Sequence, residues 1–323
     1  MNEIKKIVTI GGGSGHYTLL TGLRDLEGID ITAIVSMADS GGSTGRLRDE
    51  LGVLPPGDIL KCLLALSPDR EAARKILLTR FNNNERLKGH NAGNMLISIL
   101  SQYAGNFADG VNALGEILGV RGQIHPVTTD KATLVAELTD GTRLFGETAI
   151  DVPRGNQREK IVNAYLVPHH YDTISVHPPV VDSIKKADYI ILGPGDLFTS
   201  IIPNFLVPGV KEAVNNSNAK VIYILNIMTK FGETENFQPN DFVREIEGRI
   251  GQNVDYVIIN RGLPEQVIMD EYKKQKADLI LNNESFDWGE RRIVRDDLIE
   301  FSGGVVRHSS KKLGELIGKL IKV

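Results

Sequence analysis

The sequence predicts an α/β protein built on a parallel β-sheet, with a small antiparallel β insertion. Short β-branched runs alternate with helical patterns over the first 120 residues, which is typical of parallel βαβ units. The alternation breaks once, where a hairpin pattern replaces it, and then resumes. The 33 glycines among 323 residues cluster directly after apolar runs. The fold class rests on these three observations.

Buried strands are predicted at residues 4–10 and 29–36, and a glycine loop follows each of them. Helices are predicted at about 17–26, 57–66 and 94–103. A further helix is expected to start at Ser67-Pro68-Asp69. A capping hydroxyl, a proline at the first helical position and nearby acids are typical of a helix N-terminus.

The break in the alternation predicts an antiparallel insertion at about 124–170, inside a single domain that spans 1–323. Two β-prone runs, 134–138 and 143–147, flank an Asp-Gly pair, and this arrangement is a strong hairpin signal. Residues 161–167 would add a third strand. The insertion accounts for a length slightly above that of a usual single core.

The βα alternation then resumes, with strands predicted at 188–192, 220–225 and 255–259 and helical patterns between them. A last short strand that carries Arg307 is predicted at residues 305–308. A basic amphipathic helix is predicted after it, at about 311–322.

Composition limits the classes of partner. With 37 Lys+Arg against 41 Asp+Glu the net charge is −4, so no global field attracts nucleic acid or an anionic membrane. The single cysteine, Cys62, excludes an intramolecular disulfide and a Cys-based zinc cluster. No stretch approaches the roughly 20 apolar residues of a transmembrane helix, and the start does not resemble a signal peptide. We expect a cytoplasmic protein.

The first glycine loop follows the first strand. Glycines let backbone N–H groups approach a phosphate, and the next helix presents its positive end. His16 breaks the dinucleotide fingerprint, and no Gly-Lys-Ser/Thr of a Walker loop follows. The alternative is a tight turn with no ligand. The candidate ligand-binding residues here are Gly11, Gly12, Gly13, Ser14 and Gly15.

The second loop follows the second strand. Asp39 is suited to a ribose hydroxyl or a divalent metal, and Arg46 could clamp a phosphate bidentately. Asp58 is either a plain helix cap or a second ligand that shares one Mg²⁺ with Asp39. The other candidates in this loop are Ser40, Gly41, Gly42 and Ser43.

Two more clusters repeat the pattern. His90, Asn91 and Asn94 open a helix, where they either cap it or contact a base or sugar. Further candidates at predicted strand ends are Gly193, Gly195, Asp196, Asn226 and Asn260. Because the carboxyl ends of parallel strands share one edge, these loops predict a site for a phosphorylated or nucleotide ligand.

These motifs resemble those of the CofD-like family, most closely its gluconeogenesis-factor branch (YvcK). The resemblance covers essentially the whole chain. It rests on GGGSGH, MADSGGSTGRLR, PPGD, GHNAGN, LGPGDLFTSIIPNFLV and the C-terminal VVRH. It implies a three-layer αβα Rossmann-like fold with a nucleotide-derived ligand in a cleft at the sheet edge.

The resemblance also implies two functions. One branch transfers a phospholactyl group from a nucleotide-activated donor to the deazaflavin Fo, with a divalent metal at acids that match Asp39 and Asp58. The other binds UDP-N-acetylglucosamine and supports normal cell shape and cell-wall synthesis during gluconeogenic growth. The residues after Asp39 are like those of the second branch. For that branch the resemblance implies contacts from Tyr272 and Arg307, although Tyr272 could equally be a packing tyrosine.

The leading hypothesis is therefore a regulatory UDP-N-acetylglucosamine sensor without catalysis, since no nucleophile–base pair can be singled out. The alternative is a CofD-type 2-phospho-L-lactate transferase, in which Arg46 would stabilise developing charge. The broken fingerprint disfavours an NAD-type oxidoreductase.

The expected partners and cofactors follow from these hypotheses. Mg²⁺ is the one cofactor considered, and flavin, haem and zinc are not expected. A nucleoside-diphosphate ligand and an envelope-synthesis protein are the expected partners, no nucleic acid is expected, and a homodimer stays open. Ser309 and Ser310 are an exposed helix cap or, as the alternative, acceptors of a regulatory phosphate.

Overall fold

The computed structural model describes residues 4–51, 53–82, 87–155, 157–169, 173–281 and 286–322. The strands are, in chain order, β1 (Lys5–Gly11), β2 (Ile29–Val35), β3 (Gln123–Pro126), β4 (Ala132–Leu138), β5 (Arg143–Phe145), β6 (Ile161–Pro168), β7 (Tyr189–Leu192), β8 (Lys220–Ile224), β9 (Tyr256–Asn260), β10 (Arg292–Asp296), β11 (Ile299–Ser302) and β12 (Val305–His308).

The helices are α1 (Gly13–Leu23), α2 (Gly42–Leu51), α3 (Gly57–Leu66), α4 (Arg70–Leu77), α5 (Ala92–Ala104), α6 (Phe107–Ile117), α7 (Glu147–Asp151), α8 (Pro178–Lys186), α9 (Ile202–Phe205), α10 (Val210–Asn215), α11 (Pro239–Ile250), α12 (Gln266–Lys274) and α13 (Ser310–Ile321). A π-helical turn, Leu197–Ile201, precedes α9. None of the helices in the described ranges is both long and apolar enough to cross a membrane.

Within the described residues, seven strands form one parallel sheet in the order β10-β9-β8-β7-β1-β2-β3. Helices flank this sheet, which confirms the predicted α/β class. From β1 the chain extends the sheet through β2 to β3, and it then returns to the other side of β1 to form β7. This reversal makes the β1/β7 pair the topological switch point, outside which open α/β sheets bind their ligands.

The central strands are buried and largely apolar toward their carboxyl ends because helices cover both faces of the sheet. Ile10 of β1, Leu192 of β7 and Ile224 of β8 are completely buried. This continuous core fixes the positions of the loops that leave the carboxyl ends of these strands.

The insertion is a three-stranded antiparallel sheet in the order β5-β4-β6. Its β4–β5 turn contains Gly141 at φ +83°, a conformation that suits glycine. The predicted start at residue 124 differs from the structure, since β3 pairs in parallel with β2 in the main sheet and the antiparallel sheet begins at 132. The predicted end, residue 170, lies outside the described residues.

Three helix starts differ from the prediction. The first helix begins at Gly13 rather than near residue 17, since the glycine loop itself enters the helix. Helix α5 begins at Ala92, with the side chain of Asn91 accepting a hydrogen bond from the Asn94 amide. The prediction of a helix start at Ser67 was wrong, because the Ser67 hydroxyl donates to the carbonyl of Leu118 and α4 begins at Arg70.

The closing helix packs against α1 through two glycines. A Cβ atom on Gly22 would lie 2.1 Å from the carbonyl oxygen of Ser310, and one on Gly314 would lie 2.3 Å from that of Gly22. The two helix backbones therefore touch directly at this crossing. The contact holds α13 against the helix that starts at the first glycine loop.

Candidate functional site

A cleft of about 760 Å³ opens at the carboxyl edge of the sheet, beside the β1/β7 pair. We call it the β1/β7 cleft. Its walls come from the loops after β1, β7 and β8, from the insertion, and from the C-terminal part of the chain. The predicted site residues that line it are Gly12, Gly13, Ser14, Gly15, Asp39, Asp58, Gly195, Asp196, Asn226, Tyr272 and Arg307.

The loops after β1 and β7 touch through their backbones. A Cβ atom on Gly15 would lie 2.2 Å from the carbonyl oxygen of Pro194, so only glycine permits this approach. The Gly195 amide donates a hydrogen bond to the Asn226 side-chain oxygen at 3.1 Å, which ties the β7 loop to the end of β8. Three consecutive strand ends are thereby joined into one wall.

The N-terminus of α1 faces this cleft. Its first amide, that of Gly13, donates to Asp58 Oδ2 at 2.8 Å. The next two amides, of Ser14 and Gly15, donate to no acceptor within the described part of the chain. Free N–H groups and the positive end of the helix dipole favour an anionic ligand at this position.

Carboxylates stand close to this helix end. Lys61 Nζ lies 2.8 Å from Asp58 Oδ1. Burial and, after it, the Asp58 charge raise the pKa of Asp39. Burial, then Asp39 and Asp151, raise the pKa of Glu147 to about 7. Glu147 belongs to α7 in the insertion, and its presence in the cleft was not predicted from the sequence.

A second group of charged residues also lines the cleft. Lys230 Nζ lies 2.8 Å from Asp196 Oδ2, 3.0 Å from Glu233 Oε1, and also binds Asp151. Burial alone would lower the pKa of Lys230, but Glu233 and Asp196 raise it above its ordinary value. Burial raises the pKa of Glu233 to about 7, against the opposing effect of Lys230. Of these four residues, only Asp196 was predicted.

We expect Glu233→Gln to change how stability depends on pH. Because the pKa of the Glu233 carboxyl is raised from 4.5 to about 7, the folded chain retains a proton that the unfolded chain releases in this range. Glu233 therefore lowers the free energy of unfolding of wild type progressively as the pH rises from about 4.5 to 7. Relative to wild type, the variant should gain roughly 1 kcal/mol of unfolding free energy per pH unit.

Urea unfolding at pH 5, 6 and 7 measures this difference. Glu116→Gln, at an exposed position on α6, is the control and should run parallel to wild type. A Glu233→Gln profile that also runs parallel would show that the buried carboxyl does not carry the proton.

Several predicted residues lie outside the cleft lining. Arg46 donates to the Lys88 carbonyl at 2.6 Å. Ser43 Oγ bonds His90 Nδ1 at 2.9 Å, and the Asn94 amide reaches Ser43 at 3.4 Å. These contacts pack α2 against the start of α5. Their role toward a ligand stays a prediction.

The remaining predicted residues outside the lining are Gly11, Ser40, Gly41, Gly42, Asn91, Gly193 and Asn260. Asn260 Oδ1 accepts from the amides of Gly262 and Leu298, so its side chain holds the loop that joins β9 to the C-terminal segment. The Ser40 hydroxyl accepts from the Thr148 amide at 3.0 Å and connects the β2 loop to the insertion.

Tyr272 and Arg307 both line the cleft, and they come from two elements that are joined by a hydrogen bond. The Tyr272 hydroxyl accepts a hydrogen bond from the Val306 amide at 3.1 Å, which joins α12 to the strand that carries Arg307. Tyr272 thus has a packing role as well as a place in the lining. Ser309 is buried and Ser310 half-buried, which differs from an exposed pair, because the α1–α13 crossing covers this helix start.

Comparisons with known proteins agree with this geometry. The model of the family described as 2-phospho-L-lactate transferase CofD matches residues 7–299. A Thermotoga maritima protein is 39% identical over 98% of this chain and 99% of its own. A Bacillus subtilis protein named gluconeogenesis factor is 37% identical, with 100% of both chains covered.

A solved structure extends the similarity to three dimensions. The crystal structure of a Bacillus halodurans protein superposes with a TM-score of 0.90 at 35% identity, covering 98% of this chain and 99% of its own. The family model and the full-length relatives lead to the same conclusion: this chain is a member of the CofD family.

Proposed function

We propose that the chain binds UDP-N-acetylglucosamine in the β1/β7 cleft and acts as a regulatory protein for cell shape and cell-wall synthesis during gluconeogenic growth. The observation that carries the binding proposal is the N-terminus of α1, where the Ser14 and Gly15 amides have no acceptor among the described residues, beside the glycine turn after β7 at the switch point of the sheet. Such an arrangement suits a diphosphate. The regulatory role rests on the resemblance of the motifs and on the names of the relatives.

The dimensions and polarity of the cleft support a nucleotide-sugar. Its volume of about 760 Å³ falls in the usual range for small-molecule sites. The diphosphate would lie at Ser14 and Gly15, and the uridine or the sugar would extend toward Tyr272 and Arg307. Arg307 is exposed, so its guanidinium is available to a ligand phosphate or hydroxyl.

Asp39 and Asp58 form a donor set that fits Mg²⁺. Both line the cleft, both offer hard carboxylate oxygens, and the charge of Asp58 raises the pKa of Asp39. Asp39 and Asp58 would hold a divalent cation, whose positive charge would relieve this repulsion. When bound, the ion would neutralise diphosphate charge, while Lys61 and Gly13 hold Asp58 in place.

The second candidate function is a CofD-type 2-phospho-L-lactate transferase. The family model and the Asp39–Asp58 pair favour it. Phosphoryl transfer depends on positioning and charge neutralisation more than on a protein nucleophile. Asp39 and Asp58 would then orient the donor, with Fo entering from the open side of the cleft.

Calorimetric titration with UDP-N-acetylglucosamine, UDP and GDP, each with and without Mg²⁺, tests the proposal. Saturable binding of the uridine nucleotides without turnover is the expected result. Preference for GDP, together with metal-dependent release of nucleotide from a nucleotide-activated phospholactyl donor when Fo is added as the acceptor, would replace the sensor with the transferase. If none of the three nucleotides binds, both candidate functions are refuted.

We expect Arg307→Ala to weaken UDP-N-acetylglucosamine binding by about tenfold, the loss of one charge-assisted hydrogen bond. Arg46→Ala is the matched control. The sequence predicts that this variant also loses affinity. However, Arg46 donates a hydrogen bond to the Lys88 carbonyl outside the cleft lining, so we expect the Kd of the Arg46→Ala variant to stay within about twofold of wild type. If calorimetry shows weaker binding by Arg46→Ala and unchanged binding by Arg307→Ala, the diphosphate binds at the β2 loop instead.

A further inference from the structure

We infer that Lys230 binds the diphosphate of the ligand and that Asp151 competes with the ligand for the same ammonium group. Ligand binding would then transfer Lys230 from the insertion to the diphosphate. This inference rests on the proposed function and adds a regulation of the same site.

The ammonium group of Lys230 joins three separate parts of the chain. Asp151 ends α7 of the insertion, Asp196 follows Gly195 in the β7 loop, and Glu233 lies three residues beyond Lys230 in the β8 loop. We call these four residues the Lys230 cluster. Through Asp151 and Asp196 it links helix α7 of the insertion to the loop that contacts the N-terminus of α1.

The Lys230 ammonium lies among three carboxyl groups, of which that of Glu233 has a raised pKa. Three of their oxygens, one from each residue, lie within 4.8 Å of one another. That spacing would also suit a metal ion, but the Lys230 ammonium lies between the oxygens and supplies the cation. Lys230 lines the β1/β7 cleft together with Asp151 and Asp196, and 27% of its side chain is exposed. A ligand in the cleft can therefore reach it.

A ligand phosphate would not displace the three carboxylates from Lys230 with equal ease. Glu233 is buried and lies on the same loop as Lys230, so it moves with the lysine. Asp196 follows the glycine turn that packs against α1. Asp151 belongs to the insertion, outside the two loops that carry Lys230 and Asp196, and the exposed fractions of the two aspartate side chains are similar, 32% and 37%. A diphosphate at Ser14 and Gly15 carries more charge than Asp151, and it would compete for the ammonium most easily against this carboxylate.

The inference predicts that removing the Asp151 carboxylate increases the affinity for UDP. A substitution that merely destabilises the fold would not produce such an increase. Calorimetry with UDP as the probe should show Asp151→Asn binding about three- to tenfold more tightly than wild type. Lys230→Met should bind at least about tenfold more weakly, and the double variant should match Lys230→Met. Asp182→Asn, exposed on α8, is the matched control and should bind as wild type does.

Hydrogen exchange gives a second measurement. UDP should reduce the protection of residues 147–152 in wild type, whereas in Asp151→Asn their protection should be low already. If Lys230→Met does not fold, as judged by circular dichroism, Lys230→Gln takes its place. Unchanged or weaker UDP binding by Asp151→Asn, while wild type binds, overturns this inference alone. Failure of wild type to bind UDP overturns the proposed function as well.

Discussion

Replacing Gly15 by alanine should reduce UDP-N-acetylglucosamine affinity by at least about a hundredfold. The added Cβ would lie 2.2 Å from the carbonyl oxygen and 2.7 Å from the carbonyl carbon of Pro194. Both are backbone atoms and cannot rotate away, so the β1 and β7 loops must separate. The amides of Ser14 and Gly15 would then lose their alignment on a diphosphate, together with the anion-binding geometry of the helix end.

Calorimetric titration of the folded variant measures this loss. Gly115→Ala is the control, because its added Cβ on α6 would meet only ordinary contacts, the nearest at 3.6 Å. It should bind with wild-type affinity. Wild-type affinity in Gly15→Ala would mean that the contact between the two glycine turns does not shape the ligand site.

Gly314→Ala should lower the free energy of unfolding by about 2–3 kcal/mol, as expected for overpacking at a close contact. Its Cβ would lie 2.3 Å from the Gly22 carbonyl oxygen and 2.8 Å from the carbonyl carbon. The closing helix α13 must then tilt or move away from α1 and expose part of its apolar face, which includes Leu313 and Ile317.

Urea unfolding provides the measurement, and Gly248→Ala provides the comparison. Gly248 lies within α11, and a Cβ there would meet no atom within 4 Å. Alanine should therefore raise stability by up to about 1 kcal/mol through helix propensity alone. Equal effects at the two positions would contradict a direct backbone contact between α1 and α13.

The strands of the main sheet could be predicted where they are buried on both faces. Strands β1, β2, β7, β8 and β9 are rich in buried β-branched and other apolar residues, a pattern that a sequence displays directly. Strand β3 was assigned to the insertion because its four residues, Gln123–Pro126, carry little apolar signal. Strand β10 was missed because it lies at the sheet edge and contains Arg292, Arg295 and Asp296. Its position depends on pairing with β9, which is a tertiary contact.

The same distinction applies to the cleft. Residues that follow a buried strand, such as Gly15, Asp39 and Gly195, could be predicted because the sheet brings strand ends to one edge. Lys230 and Glu147 could not, since the first binds a carboxylate of the insertion and the second enters the cleft only when the insertion folds back. Patterns in the sequence identify the loops at the carboxyl edge of the sheet. They do not predict the direction of a side chain such as that of Arg46, because that direction depends on helix packing.

Hydrogen exchange with and without UDP-N-acetylglucosamine shows where the ligand binds on the chain. Saturating ligand should protect the amides at residues 12–16, 193 and 195–197, in the two glycine turns of the β1/β7 cleft. Protection confined to other segments, with these two turns unchanged, would contradict binding in this cleft.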